Sequence, residues 1–245
     1  MSIKILGYGE IGKSIFLLFN EQKGFDIFVE DPKYNLYPPV KKEFDFVLVC
    51  IPYSDKFVQI VLDQQNISSK IVIFSTVPIG TTEQIPNAIH IPIEGKHPNL
   101  LDSLKIWQFY AGYNDVKYLP DYINLFSCIN KSIIPIPKTR NTELCKLLST
   151  LLYGVNIEFY RFAKDSFNKY ACDLPDIFID YNQDYNFLYE ALGFPGIKRY
   201  ILDYPKGDIG GHCVVPNAKF MEGVFPDIVR NQYSGVDNDY YEVIA

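Results

Sequence analysis

The stretch Ile3-Lys4-Ile5-Leu6-Gly7-Tyr8-Gly9-Glu10-Ile11-Gly12 decides the fold of this chain. A short apolar strand leads into the spacing G-x-G-x-x-G, and apolar residues recur at helical spacing after it. This order of strand, glycines and helix is typical of a turn that holds the pyrophosphate of a dinucleotide. Gly7 permits the tight turn, Gly9 lets the backbone approach the phosphates, and Gly12 lets the helix pack close to the strand.

The start of that helix is predicted to complete a cofactor site. A pyrophosphate accepts hydrogen bonds from backbone N–H groups at a helix amino terminus, which adds Glu10 and Ile11 to the three glycines. The alternative interpretation is a glycine-rich turn that binds no ligand.

An acid follows the second predicted strand. Residues 26–29 lead into Glu30-Asp31, about 20 residues beyond the glycines, where an acid hydrogen-bonds a ribose hydroxyl. We favour Asp31 over Glu30 because Asp31 ends the strand, just before Pro32. A carboxylate also disfavours the additional phosphate of NADP, so the predicted cofactor is NAD.

Two further predicted strands end in polar turns. The apolar runs 46–51 and 70–74 suit strands that are buried on both faces of a parallel sheet. Residues just beyond the carboxyl ends of such strands line the ligand crevice. The predicted cofactor contacts there are Pro52, Ser54, Ser75 and Thr76. Ordinary turn chemistry is the alternative for these residues, above all for Ser75.

The domain organisation follows from a change of pattern near residue 137. Alternating strands and helices predict an α/β domain over 1–137, a Rossmann-type doubly wound parallel sheet closed by a proline-containing edge strand. Residues 138–245 predict a smaller, mainly helical domain with a polar tail from Asn231. Its long helix over 142–170 would be capped by Asn141 or Thr142. A second helix over 176–192 is expected to break at 182–184.

Two residues of the second domain are candidates for chemistry. Lys146 lies among apolar residues of the long helix, where a lysine either extends its ammonium to solvent or does acid–base or electrostatic work. Cys213 follows Gly210-Gly211-His212 and precedes Pro216, which stiffens the exit from the turn. The Cys213 thiol is either a nucleophile or, like most free cysteines, a small buried apolar group.

Composition excludes several functional classes. The 245 residues carry a net charge of −6, which leaves no basic patch for nucleic acid. No apolar run is long enough to span a bilayer, and the amino terminus lacks the shape of a signal peptide, so we expect a cytoplasmic protein without a membrane partner. Five scattered cysteines and three histidines without helical pairing favour reduced thiols over disulfides or a metal site.

Together these motifs resemble the UDP-glucose/GDP-mannose dehydrogenase family of NAD-dependent nucleotide-sugar dehydrogenases. The resemblance rests on the glycine motif and on five further stretches that occur in family order. They are 49–52 (VCIP), 75–82 (STVPIGTT), 94–96 (EGK), the helix over 143–163 that starts ELCKL, and 210–216 (GGHCVVP).

The resemblance implies oxidation of the primary alcohol of a sugar nucleotide to a carboxylate, as in the synthesis of polysaccharide precursors. NAD takes a hydride to give an aldehyde, and the thiolate of Cys213 adds to it as a thiohemiacetal. A second NAD oxidises this to a thioester, which water hydrolyses. Lys146 would stabilise the oxyanion or take the alcohol proton, while Thr76 and Glu94 would place or activate water. The family also implies a homodimer through the long helix over 142–170.

The sequence departs from the family at three places. Family members continue into a second Rossmann-like domain that grips the nucleotide of the substrate, and no counterpart precedes Ala245. Thr150 stands where the family has Asn, and Asn217 occupies a catalytic position where it has Asp. Because the lost carboxylate removes a base or charge partner, two alternatives stay open. One is a non-catalytic or partner-dependent NAD-binding protein, and the other is a two-electron dehydrogenase of another hydroxy substrate.

Overall fold

The computed structural model describes residues 1–38, 43–66, 68, 70–95, 99–205, 207, 209 and 213–231. The chain divides into two compact units, Met1–Leu147 and Leu148–Ala245. This division lies inside a long helix, whereas the change of sequence pattern predicts a boundary at residue 137.

The first unit is built on one seven-stranded sheet. Its strands are β1 (Ser2–Leu6), β2 (Asp26–Glu30), β3 (Phe46–Val49), β4 (Ile71–Ile73), β5 (Ile89–His90), β6 (Phe109–Tyr113) and β7 (Ile133–Pro137). Their order across the sheet is β2-β1-β3-β4-β5-β6-β7, and neighbours are parallel except β5 and β6. The predicted doubly wound sheet is confirmed, with β6 and β7 running opposite to the rest. The strand order reverses between β1 and β3. In open α/β sheets, ligands bind in the crevice at the carboxyl ends of the strands at such a reversal.

Helices cover both faces of this sheet. They are α1 (Glu10–Asn20), α2 (Phe57–Asp63), α3 (Leu100–Ile106) and α4 (Leu119–Ser127). Phe46 and Leu48 of β3 pack into the apolar cluster of α1, α3 and α4, whereas Val47 and Val49 pack into the cluster of α2. Successive side chains of a strand point to opposite faces, so a continuous apolar run is what a doubly covered strand requires.

The long helix α5 (Thr139–Lys169) belongs to both units. The predicted caps are wrong, because the helix begins at Thr139 and both Asn141 and Thr142 lie inside its first turn. The Asn141 side chain donates instead to the Pro137 carbonyl at 2.7 Å. Close packing of this turn on β6 requires Gly112, since a Cβ there would lie 2.3 Å from Thr142 Oγ1.

The second unit also contains α6 (Ile177–Ala191), α7 (Val214–Ala218) and α8 (Val224–Asn231). The predicted break of the second helix is wrong, because α6 is continuous through 182–184. Asn182 is buried and donates its side-chain amide to the Phe178 carbonyl at 2.6 Å, so it bonds the preceding turn without ending the helix. Of the predicted tail, Asn231 ends α8 and the rest lies outside the described residues.

An apolar cluster joins α5, α7 and α8 within the second unit. Leu151 and Ile157 of α5 pack there with Val214 of α7 and Val229 of α8. Gly154 permits this approach, since a Cβ on it would lie 2.6 Å from Val214 Cγ1. None of the helices in the described parts of the chain is both long enough and apolar enough to cross a membrane.

Candidate active site

The glycine turn after β1 is tightly packed on one side and open on the other. Gly7 has φ +96°, and a Cβ on it would lie 2.9 Å from the Cys50 carbonyl. A Cβ on Gly12 would lie 2.0 Å from the Gly7 oxygen, so α1 rests directly on the turn. Gly9 is exposed, and a Cβ on it would meet nothing within 4 Å. The turn therefore has the shape that admits a pyrophosphate at Gly9, next to Glu10 and Ile11 at the start of α1.

The two acids at the end of β2 have different partners. The Glu30 carboxylate lies 2.5 Å from Lys4 Nζ, which is buried and also donates to Gln64. Asp31 faces the glycine turn: its Oδ2 accepts the Tyr8 N–H at 2.7 Å and its Oδ1 accepts the Lys33 N–H at 2.9 Å. Asp31 is thus the acid that adjoins the glycine turn.

The predicted cofactor contacts after β3 and β4 differ in exposure. Pro52 and Ser54 are exposed, Thr76 is half-buried and Ser75 is buried. The Ser75 hydroxyl donates to the Ile51 carbonyl at 2.6 Å, which ties the exit of β4 to the exit of β3. The side chain of Ser75 therefore has a structural role, because it connects the ends of two strands.

Lys146 and Glu94, both predicted from the sequence as catalytic, lie side by side in the first unit. Lys146 Nζ is 3.2 Å from Glu94 Oε1 and donates to the Ile93 carbonyl at 2.7 Å. Lys146 is buried, so it does not extend to solvent, whereas Glu94 is half-buried beyond the carboxyl end of β5. An ammonium held in this way can stabilise negative charge on a reacting oxygen.

Glu143 is a site-forming residue that the sequence reading assigned no role. Its side chain is fully buried, and its two carboxylate oxygens accept the N–H groups of Gly80 at 2.6 Å and Thr82 at 2.8 Å. Glu143 thereby fixes the turn after β4 to the start of α5. The signal was present in the spacing, because Glu143 falls on the buried side of α5 with Lys146 and Leu147.

His90, at the end of β5, is also buried behind this region. Its Nδ1 lies 2.9 Å from Thr142 Oγ1, and its Nε2 lies 3.3 Å from the Ser75 carbonyl. Burial lowers the pKa of His90 to about 4; the Ser75 carbonyl opposes this and the charge of Lys146 adds to it. His90 is therefore neutral near pH 7, and we assign its proton to Nε2, where it can be donated to Ser75.

The second unit holds the predicted nucleophile. Cys213 is half-buried directly before α7, while Gly210, Gly211 and His212 lie outside the described residues. Asn217 is buried one turn later: its N–H donates to the Cys213 carbonyl at 3.1 Å, and its side-chain amide donates to Thr150 Oγ1 at 3.4 Å. The two residues that depart from the family pattern thus contact each other and carry no charge.

The described residues contain no group of three or more His, Cys, Asp or Glu side chains placed to hold a metal ion.

Comparison with known proteins finds similarity in structure but none in sequence. No protein-family model matches the sequence, and no curated protein matches it. A UDP-D-ManNAc dehydrogenase of Pyrococcus horikoshii superposes with a TM-score of 0.73 over 94% of this chain and 68% of its own, at 16% identity. A UDP-glucose dehydrogenase of Pyrobaculum islandicum does so with 0.60 over 93% and 63%, at 14% identity. The chain has the fold of the nucleotide-sugar dehydrogenases.

The same fold extends to shorter enzymes. A 3-hydroxyisobutyrate dehydrogenase of Mycobacterium tuberculosis superposes with a TM-score of 0.61 over 94% of this chain and 91% of its own, at 10% identity. This chain therefore spans about two thirds of the nucleotide-sugar dehydrogenases and nine tenths of the 3-hydroxyisobutyrate dehydrogenase.

Proposed function

We propose that this chain is an NAD-dependent dehydrogenase that oxidises the primary alcohol of a sugar nucleotide. The observation that carries the proposal is the ion pair of Lys146 with Glu94 beyond the carboxyl end of β5. It occurs on a fold shared with nucleotide-sugar dehydrogenases and in the same unit as a glycine turn of dinucleotide-binding shape.

The cofactor, when bound, supplies the acceptor for the hydride. The glycine turn and the first residues of α1 would hold its pyrophosphate, and Asp31 would accept a hydrogen bond from its adenosine ribose. The turns after β3 and β4 would line the nicotinamide side through Pro52, Ser54, Ser75 and Thr76. Ser75 would contribute its main chain, since its hydroxyl is already bonded to Ile51.

The residues of the first unit would serve the alcohol oxidation. Removing a hydride and a proton from the alcohol leaves an aldehyde, and negative charge develops on the oxygen before the hydride departs. The Lys146 ammonium would stabilise that charge or exchange the proton. Glu94 holds the ammonium in place, and with Thr76 it would later place or activate water.

Cys213 would serve the second oxidation. Its thiolate adds to the aldehyde carbon and forms a C–S bond, giving a thiohemiacetal. Loss of the hydroxyl proton and of a second hydride, for which a second bound NAD would supply the acceptor, would leave a thioester on Cys213. Attack of water then breaks the C–S bond, releases the carboxylate and returns the thiol. We assign Asn217 a positioning role here, because its side-chain amide ties the helix that follows Cys213 to Thr150 of α5.

A second candidate is a two-electron dehydrogenase of another hydroxy substrate. The uncharged contact of Asn217 with Thr150 favours it, because this contact provides no carboxylate to take a proton during thioester hydrolysis. The likeness over 91% of a 3-hydroxyisobutyrate dehydrogenase also favours it. In this case Lys146 would act as described, and Cys213 would take no part.

We also propose that two copies of the chain associate through α5. Exposed apolar side chains recur along this helix at Leu148, Leu152, Phe159 and Phe162, with spacings of four, seven and three residues, as on the contact face of packed helix pairs. Light scattering of the full chain should give twice the mass of 28.2 kDa. Lysine at both Leu152 and Phe159 should give a monomer, and a monomeric wild type would contradict the proposal.

The test of the enzymatic proposal is NADH formation, followed by its near-ultraviolet absorbance, with NAD and two panels of substrates, one of UDP- and GDP-sugars and one of simple hydroxy acids. Turnover on a sugar nucleotide supports the first candidate. Turnover only on simple hydroxy acids supports the second. Binding of NAD without turnover on either panel would contradict both, and would leave a non-catalytic or partner-dependent NAD-binding protein.

A further inference from the structure

Two lysines converge next to Asp31. Lys13 of α1 and Lys33 of the turn after β2 place their ammonium groups on the ring of Tyr34, at 5.0 Å and 5.8 Å from its centre. Lys13 Nζ also lies 5.7 Å from the centre of the Tyr8 ring. Both lysines are exposed, so a charged ligand can reach their ammonium groups.

Asp31 belongs to the same patch. Its carboxylate bridges the N–H of Tyr8 and the N–H of Lys33, and the rings of Tyr8 and Tyr34 stand edge to face at 6.2 Å. We refer to Tyr8, Lys13, Asp31, Lys33 and Tyr34 as the ribose-end patch, because the proposed function places a ribose hydroxyl of the cofactor at Asp31.

The charges of the ribose-end patch do not cancel. It carries two ammonium groups and one carboxylate, and the carboxylate of the neighbouring Glu30 is bound to Lys4. Two like charges on one ring repel each other, and an anion placed between them relieves that repulsion. Lysine binds phosphate as a point charge and needs no fixed planar geometry, which suits flexible exposed side chains. The Asp31 carboxylate repels such an anion.

We propose that Lys13 and Lys33 form a latent site for the 2′-phosphate of NADP, and that the Asp31 carboxylate is the group that keeps this site from selecting NADP over NAD. The inference rests on the proposed function, because it takes the glycine turn as the dinucleotide site. It adds that the preference for NAD depends on one carboxylate. This carboxylate opposes the attraction of two lysines for the 2′-phosphate of NADP.

The test is calorimetric titration of the full chain with NAD and with NADP. Wild type should bind NAD more tightly than NADP. Asp31→Asn keeps the size of the side chain and removes its charge, and it should bind NADP at least about tenfold more tightly than wild type does. This gain should shrink as salt is raised, because exposed charges are screened.

Matched variants test whether the two lysines, and not backbone N–H groups, bind the phosphate of NADP. In the Asp31→Asn chain, Lys13→Met and Lys33→Met should each reduce the gain in NADP affinity, and together they should abolish it. Lys23→Met, which removes another exposed lysine, should leave the gain intact. Asp31→Ser, whose hydroxyl can still accept the Lys33 N–H, provides the same comparison if Asp31→Asn does not fold.

The outcomes distinguish this inference from the proposed function. Wild type that binds neither dinucleotide would overturn both. Wild type that binds NAD, with no gain for NADP in either Asp31 variant, would overturn the latent phosphate site alone. A gain that survives loss of both lysines would overturn it as well, because the phosphate would then be bound elsewhere.

Discussion

The two groups of candidate catalytic residues, one in each unit, differ in the charge of the contacts that position them. In the first unit, α5 bonds the ends of two strands through charged, buried groups: Glu143 to the turn after β4 and Lys146 to Ile93 and Glu94. In the second unit, Asn217 and Thr150 meet at 3.4 Å without charge, next to Cys213. Under the proposed function, the charged half, in the first unit, would serve the alcohol oxidation. In the neutral half, in the second unit, the contact of Asn217 with Thr150 provides no carboxylate for thioester hydrolysis.

The largest effect should come from the charge of Lys146. Lys146→Met should lower turnover about a thousandfold, because the oxyanion loses its ammonium, while the affinity for NAD stays the same. Steady-state NADH formation and NAD titration measure the two quantities. Lys169→Met, at the exposed end of the same helix, is the control and should change neither. Near-normal turnover in Lys146→Met would remove Lys146 from the mechanism.

The next effect concerns pH. His90 is neutral in the folded protein because burial lowers its pKa to about 4, whereas the unfolded chain protonates it below its ordinary pKa of 6.5. The stabilisation is complete above pH 6.5 and is lost as the pH falls towards 4, which amounts to about 3 kcal/mol of unfolding free energy. Urea denaturation across this range should show a flatter pH dependence for His90→Asn. An identical slope in variant and wild type would contradict the account.

Glu143 should matter for stability. Glu143→Gln keeps the shape but turns an amide group towards one of the two N–H donors, which should cost about 2 kcal/mol of unfolding free energy. Glu83→Gln is the matched control, since Glu83 is an exposed acid whose partner is Arg140, and it should change little. Equal denaturation midpoints for Glu143→Gln and wild type would show that the two bonds contribute nothing.

The smallest effect tests the neutral half. Asn217→Asp with Thr150→Asn restores the residues that the family pattern has at these positions. If the missing charge limits the second oxidation and hydrolysis, the rate of acid formation should rise about tenfold. Chromatography of samples taken during the reaction measures this rate. An unchanged rate of acid formation would mean that the uncharged contact limits neither step.

Local patterns predicted the strands and the glycine turn of the first unit correctly. These features depend on neighbours within a short stretch, so spacing alone predicts them. The choice of Asp31 over Glu30 as the ribose ligand stays a prediction, which the bond of Glu30 to Lys4 supports.

Contacts between residues far apart in the sequence could not be predicted from local patterns. The N–H donors of Glu143 lie 63 and 61 residues away in the chain, and Thr142, which meets His90 from 52 residues away, was mistaken for a cap. The sequence predicts no separate boundary for α8, in which Pro226 and Val229 are buried. The predicted break in α6 is wrong because the bond of Asn182 to its preceding turn leaves no trace in spacing.

The central claim is that Cys213 carries the second oxidation and Lys146 the first. The most direct measurement is the number of NADH formed per molecule of limiting sugar nucleotide by wild type and by Cys213→Ala, with exposed Cys145→Ala as control. The account predicts two NADH for wild type and for Cys145→Ala, and one NADH with release of aldehyde for Cys213→Ala. Two NADH from Cys213→Ala would contradict the role of the thiol, and one from wild type would establish the two-electron reaction instead.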